Sequence, residues 1–175
     1  MEENKIYDTI VVGGGAAGLT AAIYTCRKKM STLLVTVDIG GQTNLTSHIE
    51  NYPGYTELSG PKLMQIFLDQ AISFGTEVVY GKTEKIEKVG TNFRIKLSND
   101  EEYEGRTLIL AYGKVPRELG IPGEKKFIGR GVSTCATCDA PLFKHTTVAI
   151  VGGGNSAVEA ALLSSEVSTK MYLVH

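Results

Sequence analysis

"DTIVVGGGAAGLTAAIYTCRKKM", residues 8–30, reads as strand, tight turn and helix in direct succession. Residues Thr9 to Val12 form a short apolar run that stops at glycine. Beyond the turn, Leu19, Ala22, Ile23 and Cys26 recur at helical spacing and predict one buried face. Arg27, Lys28 and Lys29 then stand at the helix end, where positive charge complements the dipole. "STLLVTV" follows as a second buried strand, and the connection rule makes the two strands parallel. Gly13-Gly14-Gly15-Ala16-Ala17-Gly18 fits G-x-G-x-x-G between that strand and that helix. The first motif glycine makes the turn, the second admits a pyrophosphate, and the third lets helix pack close to strand. Amides at the helix N-terminus face the phosphates.

Outward from this unit, "GGQTNLTSHIENYPGY" is a long loop, of the kind that in compact domains is usually functional or disordered. "SGPKLMQIFLDQAISFG" is a helix with Ser59 as its cap, Pro61 in its first turn and Gly75 as its stop. Its predicted buried face is Leu63, Ile66, Phe67, Ala71 and Phe74. "TEVVY", "KIEKV" and "FRIKLS" read as strands, the last alternating at Phe93, Ile95 and Leu97. "NDEE" is a turn, and "TLILAYG" is a further buried strand ending in Gly113. "KVPRELGIPGE" reads as an interdomain linker. "TTVAIVGGGNSAVEAALLSSEVSTKMYLVH" then repeats strand, glycine turn, helix and strand, with Gly152-Gly153-Gly154-Asn155-Ser156-Ala157 as G-x-G-x-x-A. Two such turns predict two dinucleotide sites, because each has the strand before and the helix after that the motif requires.

The first site departs from the pattern. An acid for the ribose belongs at the end of the second strand, about 20 residues after the turn. Thr36 stands there and Asp38 comes two residues later, so either Asp38 takes over or the adenosine end is held differently. At the second site the strand ends in His175.

A chain of 175 residues with 42% apolar and 21% charged residues is ordinary for soluble domains. A net charge of -1 gives no strong pull toward nucleic acid or anionic membrane. No apolar stretch is long enough to span a bilayer. "MEENKIYD" lacks the basic start and apolar run of a secretory signal, which leads to the expectation of a cytoplasmic protein. In that compartment a paired cysteine motif is catalytic or metal-binding more often than a structural bridge.

That motif is Cys135-Ala-Thr-Cys138-Asp139. Structural zinc takes four ligands. The chain offers one cysteine pair, while His48, His145 and His175 are scattered and Cys26 belongs to a helical core face, so zinc is a distant alternative and no metal site is expected. An inert buried pair is a second alternative, opposed by the acid and threonines around it. Thiol–disulfide exchange explains more: it needs a thiolate, a leaving thiol close by, and a proton donor or acceptor, which Asp139 can supply. Two dinucleotide sites add a hydride source and a flavin to pass its electrons on.

These stretches resemble a known family. "VVGGGAAGLTAAIY", "GGQ" at 40–42, "IENYPG" at 49–54, "GRGVSTCATCDAPLF" and "VAIVGGGNSAVEAALLSS" are similar, in order and spacing, to the N-terminal part of the low-molecular-weight thioredoxin reductases of bacteria and archaea. The resemblance implies two Rossmann-like three-layer α/β domains, FAD-binding over residues 1–113 and NADPH-binding over 114–175, both incomplete. It implies FAD on the first turn with Asp38, Gly41, Gln42, Asn51, Ala111 and Gly113 nearby. NADPH would lie on the second turn with Gly153, Gly154, Asn155, Ser156, Glu159 and His175. Electrons would pass from NADPH to the flavin and then to Cys135–Cys138. Cys138 would face the flavin, Cys135 would attack the thioredoxin disulfide, and Asp139 would act as acid–base. The domains would rotate about a hinge that includes "KVPRELG", and the full-length form would be a homodimer.

Some positions depart from the family. Thr36 replaces the ribose acid, Ala111-Tyr112-Gly113 stands where Ala-Thr-Gly is usual, and Thr134 where an aromatic or small residue is common. The family's chain is also longer by a domain's worth of residues. The expectation is therefore a fragment with open sheet edges, which alone binds FAD poorly and turns over nothing. The alternatives are a related flavoprotein reductase with another donor or acceptor, and a nucleotide-binding chain without catalysis.

Overall fold

A computed structural model of the chain describes residues 5–115 and 117–175. Pro116, in the expected linker, and residues 1–4 of the polar N-terminus lie outside the described residues. The chain divides into two compact units, the first reaching to Val115 and the second covering the rest.

The first unit is built on β1 (Ile6–Gly14), α1 (Ala16–Arg27) and β2 (Thr32–Ile39), with β1 and β2 parallel as expected. A 3-10 turn over Gly41–Leu45 interrupts the long loop, and an antiparallel bridge between Ile49 and Leu58 closes its distal part. Next come α2 (Gly60–Ser73), β3 (Glu77–Tyr80), β4 (Thr83–Val89), β5 (Asn92–Leu97) and β6 (Glu102–Leu110). The sheet order is β3-β2-β1-β6-β5-β4, with β3, β2, β1 and β6 parallel and the β6-β5-β4 edge antiparallel.

The pleat of β1 divides the core. Val11 faces α1 and α2 and joins Leu19, Ala22, Leu34, Leu63, Met64, Leu68 and Ala71. Ile10 and Val12 face the other way, against Leu33, Val35, Ile95 and Leu97. Each fully buried aliphatic side chain of this kind contributes about 1.5–3 kcal/mol.

Five local expectations are corrected. Ser59 occupies the N-cap of α2, but its hydroxyl makes no capping bond; its carbonyl accepts the Leu63 amide at 3.0 Å instead. Phe74 lies past the helix end and is exposed, while Met64 and Leu68 complete the buried face. The end of β2 leaves the core, with Val37 70% exposed, where pairing with β1 shifts register: Val12 opposes Val35 but Gly14 opposes Ile39, so Val37 falls in the irregular stretch. β6 is only partly buried, and Leu110 is exposed: α1 and α2 cover β1 and β2, and β6 is where the sheet turns into its antiparallel edge. Cys26 is half-buried on α1, its Sγ 3.3 Å from Thr76 Oγ1.

The second unit contains α3 (Glu124–Phe127), α4 (Ala136–Asp139), a 3-10 turn over Ala140–Phe143, β7 (Thr147–Val151), α5 (Asn155–Ser165) and β8 (Lys170–Val174). β7 and β8 pair in parallel, so the glycine turn again lies between a strand and a helix.

Candidate functional site

In the first unit the carboxyl ends of β1, β2 and β6 meet at one place. β1 has β2 on one side and β6 on the other, with Val12 in register with both Val35 and Leu110. That is the crevice where open parallel sheets take their ligands. The glycines there have separate jobs. Gly13 adopts φ +112°, and a Cβ on it would run into the backbone of Ala111, whose amide donates to Val12 O at 2.8 Å. A Cβ on Gly18 would enter the Gly13 carbonyl, so helix and strand touch there. Gly15, the motif's second glycine, has no atom nearer than 4.0 Å to such a position, so its face is open. Gly15 also forms the N-cap of α1, which no side chain caps and which has no acid in its first turn. An open glycine face beside uncapped amides fits a phosphate group.

Thr36, the residue in the ribose-acid position, turns inward. Its Oγ1 accepts the Gly14 amide at 2.9 Å and donates to Asp38 O at 2.5 Å. The hydroxyl thus braces the glycine turn, while Asp38 remains exposed. Gly40 donates to Gly14 O at 2.8 Å, and Gln42 donates through Nε2 to Lys114 O, bridging the segment after β2 to the segment after β6. Gly41, Gln42, Ala111 and Gly113 therefore belong to segments that ring the first turn. Asn51 is exposed in the loop closed by the Ile49–Leu58 bridge.

The second turn has the same design with less around it. Gly152 takes φ +136° and donates to Val174 O at 2.9 Å. Gly154 is the uncapped N-cap of α5, with open space where a Cβ would stand. The His175 ring lies directly against Gly153, so any side chain there would displace it. Asn155, Ser156 and Glu159 are exposed on the first turns of α5. The residues of both turns suit a dinucleotide's phosphates.

Cys135 and Cys138 form a disulfide with Cα atoms 5.3 Å apart. Cys135 is the N-cap of α4 and half-buried, and Cys138 is exposed. One helical turn sets this spacing: the amides of Cys138 and Asp139 donate to Cys135 O at 3.2 and 3.0 Å. Ser133, which sequence reasoning passed over, donates to Asp139 Oδ2 at 2.6 Å and accepts the Cys135 amide at 3.0 Å. No spacing rule marks a hydroxyl six residues before an acid; only the fold of 133–139 brings them together. Among the described residues no cluster of three or more His, Cys, Asp or Glu could hold a metal, and no helix is long and apolar enough to cross a membrane.

Residues 7–175 match the family model described as pyridine nucleotide-disulphide oxidoreductase. The chain is 42% identical over 176 residues to the thioredoxin reductase of Bacillus subtilis, covering 100% of this chain and 55% of that protein. It is 41% identical over 175 residues to the bifunctional thioredoxin reductase/thioredoxin of Mycobacterium leprae, covering 97% of this chain and 38% of that protein. The crystal structure of thioredoxin reductase from Streptococcus pyogenes superposes with a TM-score of 0.90 at 41% identity, covering 99% of this chain and 56% of that one. The chain thus spans about half the length of such relatives.

Proposed function

Since this chain belongs to the pyridine nucleotide-disulphide oxidoreductase family, we propose that it carries the flavin turn, the nicotinamide turn and the redox pair of an NADPH-dependent thioredoxin-disulfide reductase. The observation that carries this reading is the Cys135–Cys138 disulfide with Asp139 tied to the backbone of Cys135 through Ser133. Opening the disulfide takes two electrons and two protons. FAD, when bound, supplies the means of taking two electrons from a nicotinamide and giving them to a disulfide.

The chain's own residues do the rest. Gly13, Gly14, Gly15, Ala16, Ala17 and Gly18 cradle the FAD pyrophosphate, braced by Thr36, with Asp38, Gly41, Gln42, Asn51, Ala111 and Gly113 around it. Gly153, Gly154, Asn155, Ser156, Glu159 and His175 take NADPH. Asp139 moves a proton to and from the thiols. Cys138 takes the incoming electrons, and Cys135 attacks the disulfide of a thioredoxin-like protein. The relatives named as thioredoxin reductases, one of them joined to a thioredoxin, support that partner. On this reading residues 1–113 form the FAD domain and 114–175 belong to the NADPH domain. The full-length form works as a homodimer in the cytoplasm, where a reducing pool keeps such a pair cycling.

The test is anaerobic spectroscopy of the full-length form loaded with FAD. NADPH should bleach the flavin, and oxidised thioredoxin should restore its colour. In Cys138→Ser the flavin should still bleach while thioredoxin turnover is lost. Undiminished turnover in that variant would overturn the assignment, and bleaching by NADH alone would reassign the donor.

A further inference from the structure

We propose that Ser133 is a positioning residue that pins the Asp139 carboxylate to the Cys135 side of the redox pair. The inference rests on the redox reading of Cys135–Cys138. Ser133 Oγ lies 2.6 Å from Asp139 Oδ2 and 3.3 Å from Cys135 O, and a hydroxyl has one proton to give. The shorter, charge-assisted contact takes it. The oxygen is then free to accept the Cys135 amide, at 3.0 Å. Donor and acceptor roles are both used, and the chain Asp139 carboxylate–Ser133 hydroxyl–Cys135 amide is closed.

Among the described residues no other group donates to the Asp139 carboxylate, so loss of that hydroxyl releases its rotamer. With it, the carboxylate is tied through one hydroxyl to the backbone amide of the residue that bears one of the two sulfurs. An ordinary capping serine offers a rival account, since Ser133 also stabilises the turn into α4. That role would lower stability when lost and leave the thiol chemistry alone. A fixed carboxylate instead acts on the thiolate, because a like charge nearby opposes ionisation.

The experiment follows thiols directly and needs neither flavin nor nicotinamide. The protein in a Cys26→Ser background is reduced with dithiothreitol and alkylated with iodoacetamide across the pH range, with mass spectrometry assigning each adduct. Ser133→Ala should move the Cys135 profile to lower pH, with alkylation near neutrality roughly threefold faster or more. Ser133→Thr should restore the parent profile. Asp139→Asn should reproduce the shift, and adding Ser133→Ala to it should change nothing further. An unmoved profile, a move to higher pH, or a Ser133→Ala effect that persists in Asp139→Asn would overturn the proposal. Far-ultraviolet circular dichroism of each variant guards against misfolding. The parent protein carries a separate control: a pair that opens with dithiothreitol but never exchanges with oxidised thioredoxin sinks the functional reading, while the alkylation profiles still judge Ser133.

Discussion

At Thr36 a hydroxyl does work that a ribose-binding acid cannot do from the same place. It accepts a hydrogen bond from the Gly14 amide and donates one to Asp38 O, and Thr36 is only 5% exposed. Thr36→Val keeps the volume and strands the Gly14 amide, which should cost about 1–3 kcal/mol by urea unfolding. Equal stability would mean that the bond contributes nothing net. Gly13 is constrained twice, by its φ of +112° and by the Ala111 backbone lying where a Cβ would go. Gly13→Ala should therefore destabilise the first unit by at least about 2 kcal/mol, and unchanged unfolding would contradict the close approach.

Among elements, α2 shows how packing sorts residues that periodicity treats alike. Met64 is 1% exposed between α1 and the sheet, whereas Phe74 is 43% exposed beyond the helix end. Met64→Ala should cost about 2–5 kcal/mol, and Phe74→Ala no more than about 1 kcal/mol. A reversed order would sink this placement of the helix. The strand pair β1–β6 adds a pH dependence at its amino end. Asp8 accepts the backbone amide and the hydroxyl of Ser31 and pairs with Arg106, and the Ser31 amide is the largest cause holding its carboxyl below the usual range. A carboxyl depressed in the folded state stabilises above its unfolded value, about 4, and loses that contribution as pH falls through the lower folded value. Asp8→Asn should accordingly flatten the acid limb of a stability–pH curve; an unchanged limb would remove Asp8 from the account.

For the molecule as a whole, the two units are unequal. The first has a six-stranded sheet with a core on each face; among the described residues of the second, only Ala140, Ala161 and Ser164 are buried, over a two-stranded sheet. Two strands hold little stability by themselves. Amides of β7 and β8 should exchange with deuterium well before those of β1 and β2, as mass spectrometry of peptides can show; uniform protection would mean that the second unit is stabilised by something not seen in its own packing. Val115, the last residue of the first unit, is 93% exposed, and brief proteolysis should nick the chain near it.

Local chemistry in the chain was enough to specify the βαβ start, both glycine turns, the helix over 60–73 and the cysteine pair. Each depends on neighbours in sequence: an apolar run that stops at glycine, a repeat of 3.6, two thiols separated by one turn. Strands β3–β5 and the second half of β6 were legible too, although β6 starts at Glu102, within the expected turn, and stops at Leu110, short of Gly113; neither their order in the sheet nor which of them would be covered was legible, because pairing and burial depend on partners far along the chain. Tertiary structure alone turned Thr36 inward, joined Gln42 to Lys114 and set Ser133 between Asp139 and Cys135. The physical reason is that a hydrogen bond is decided by which donor and acceptor the folded backbone brings within about 3 Å, and no periodicity in the sequence records that distance.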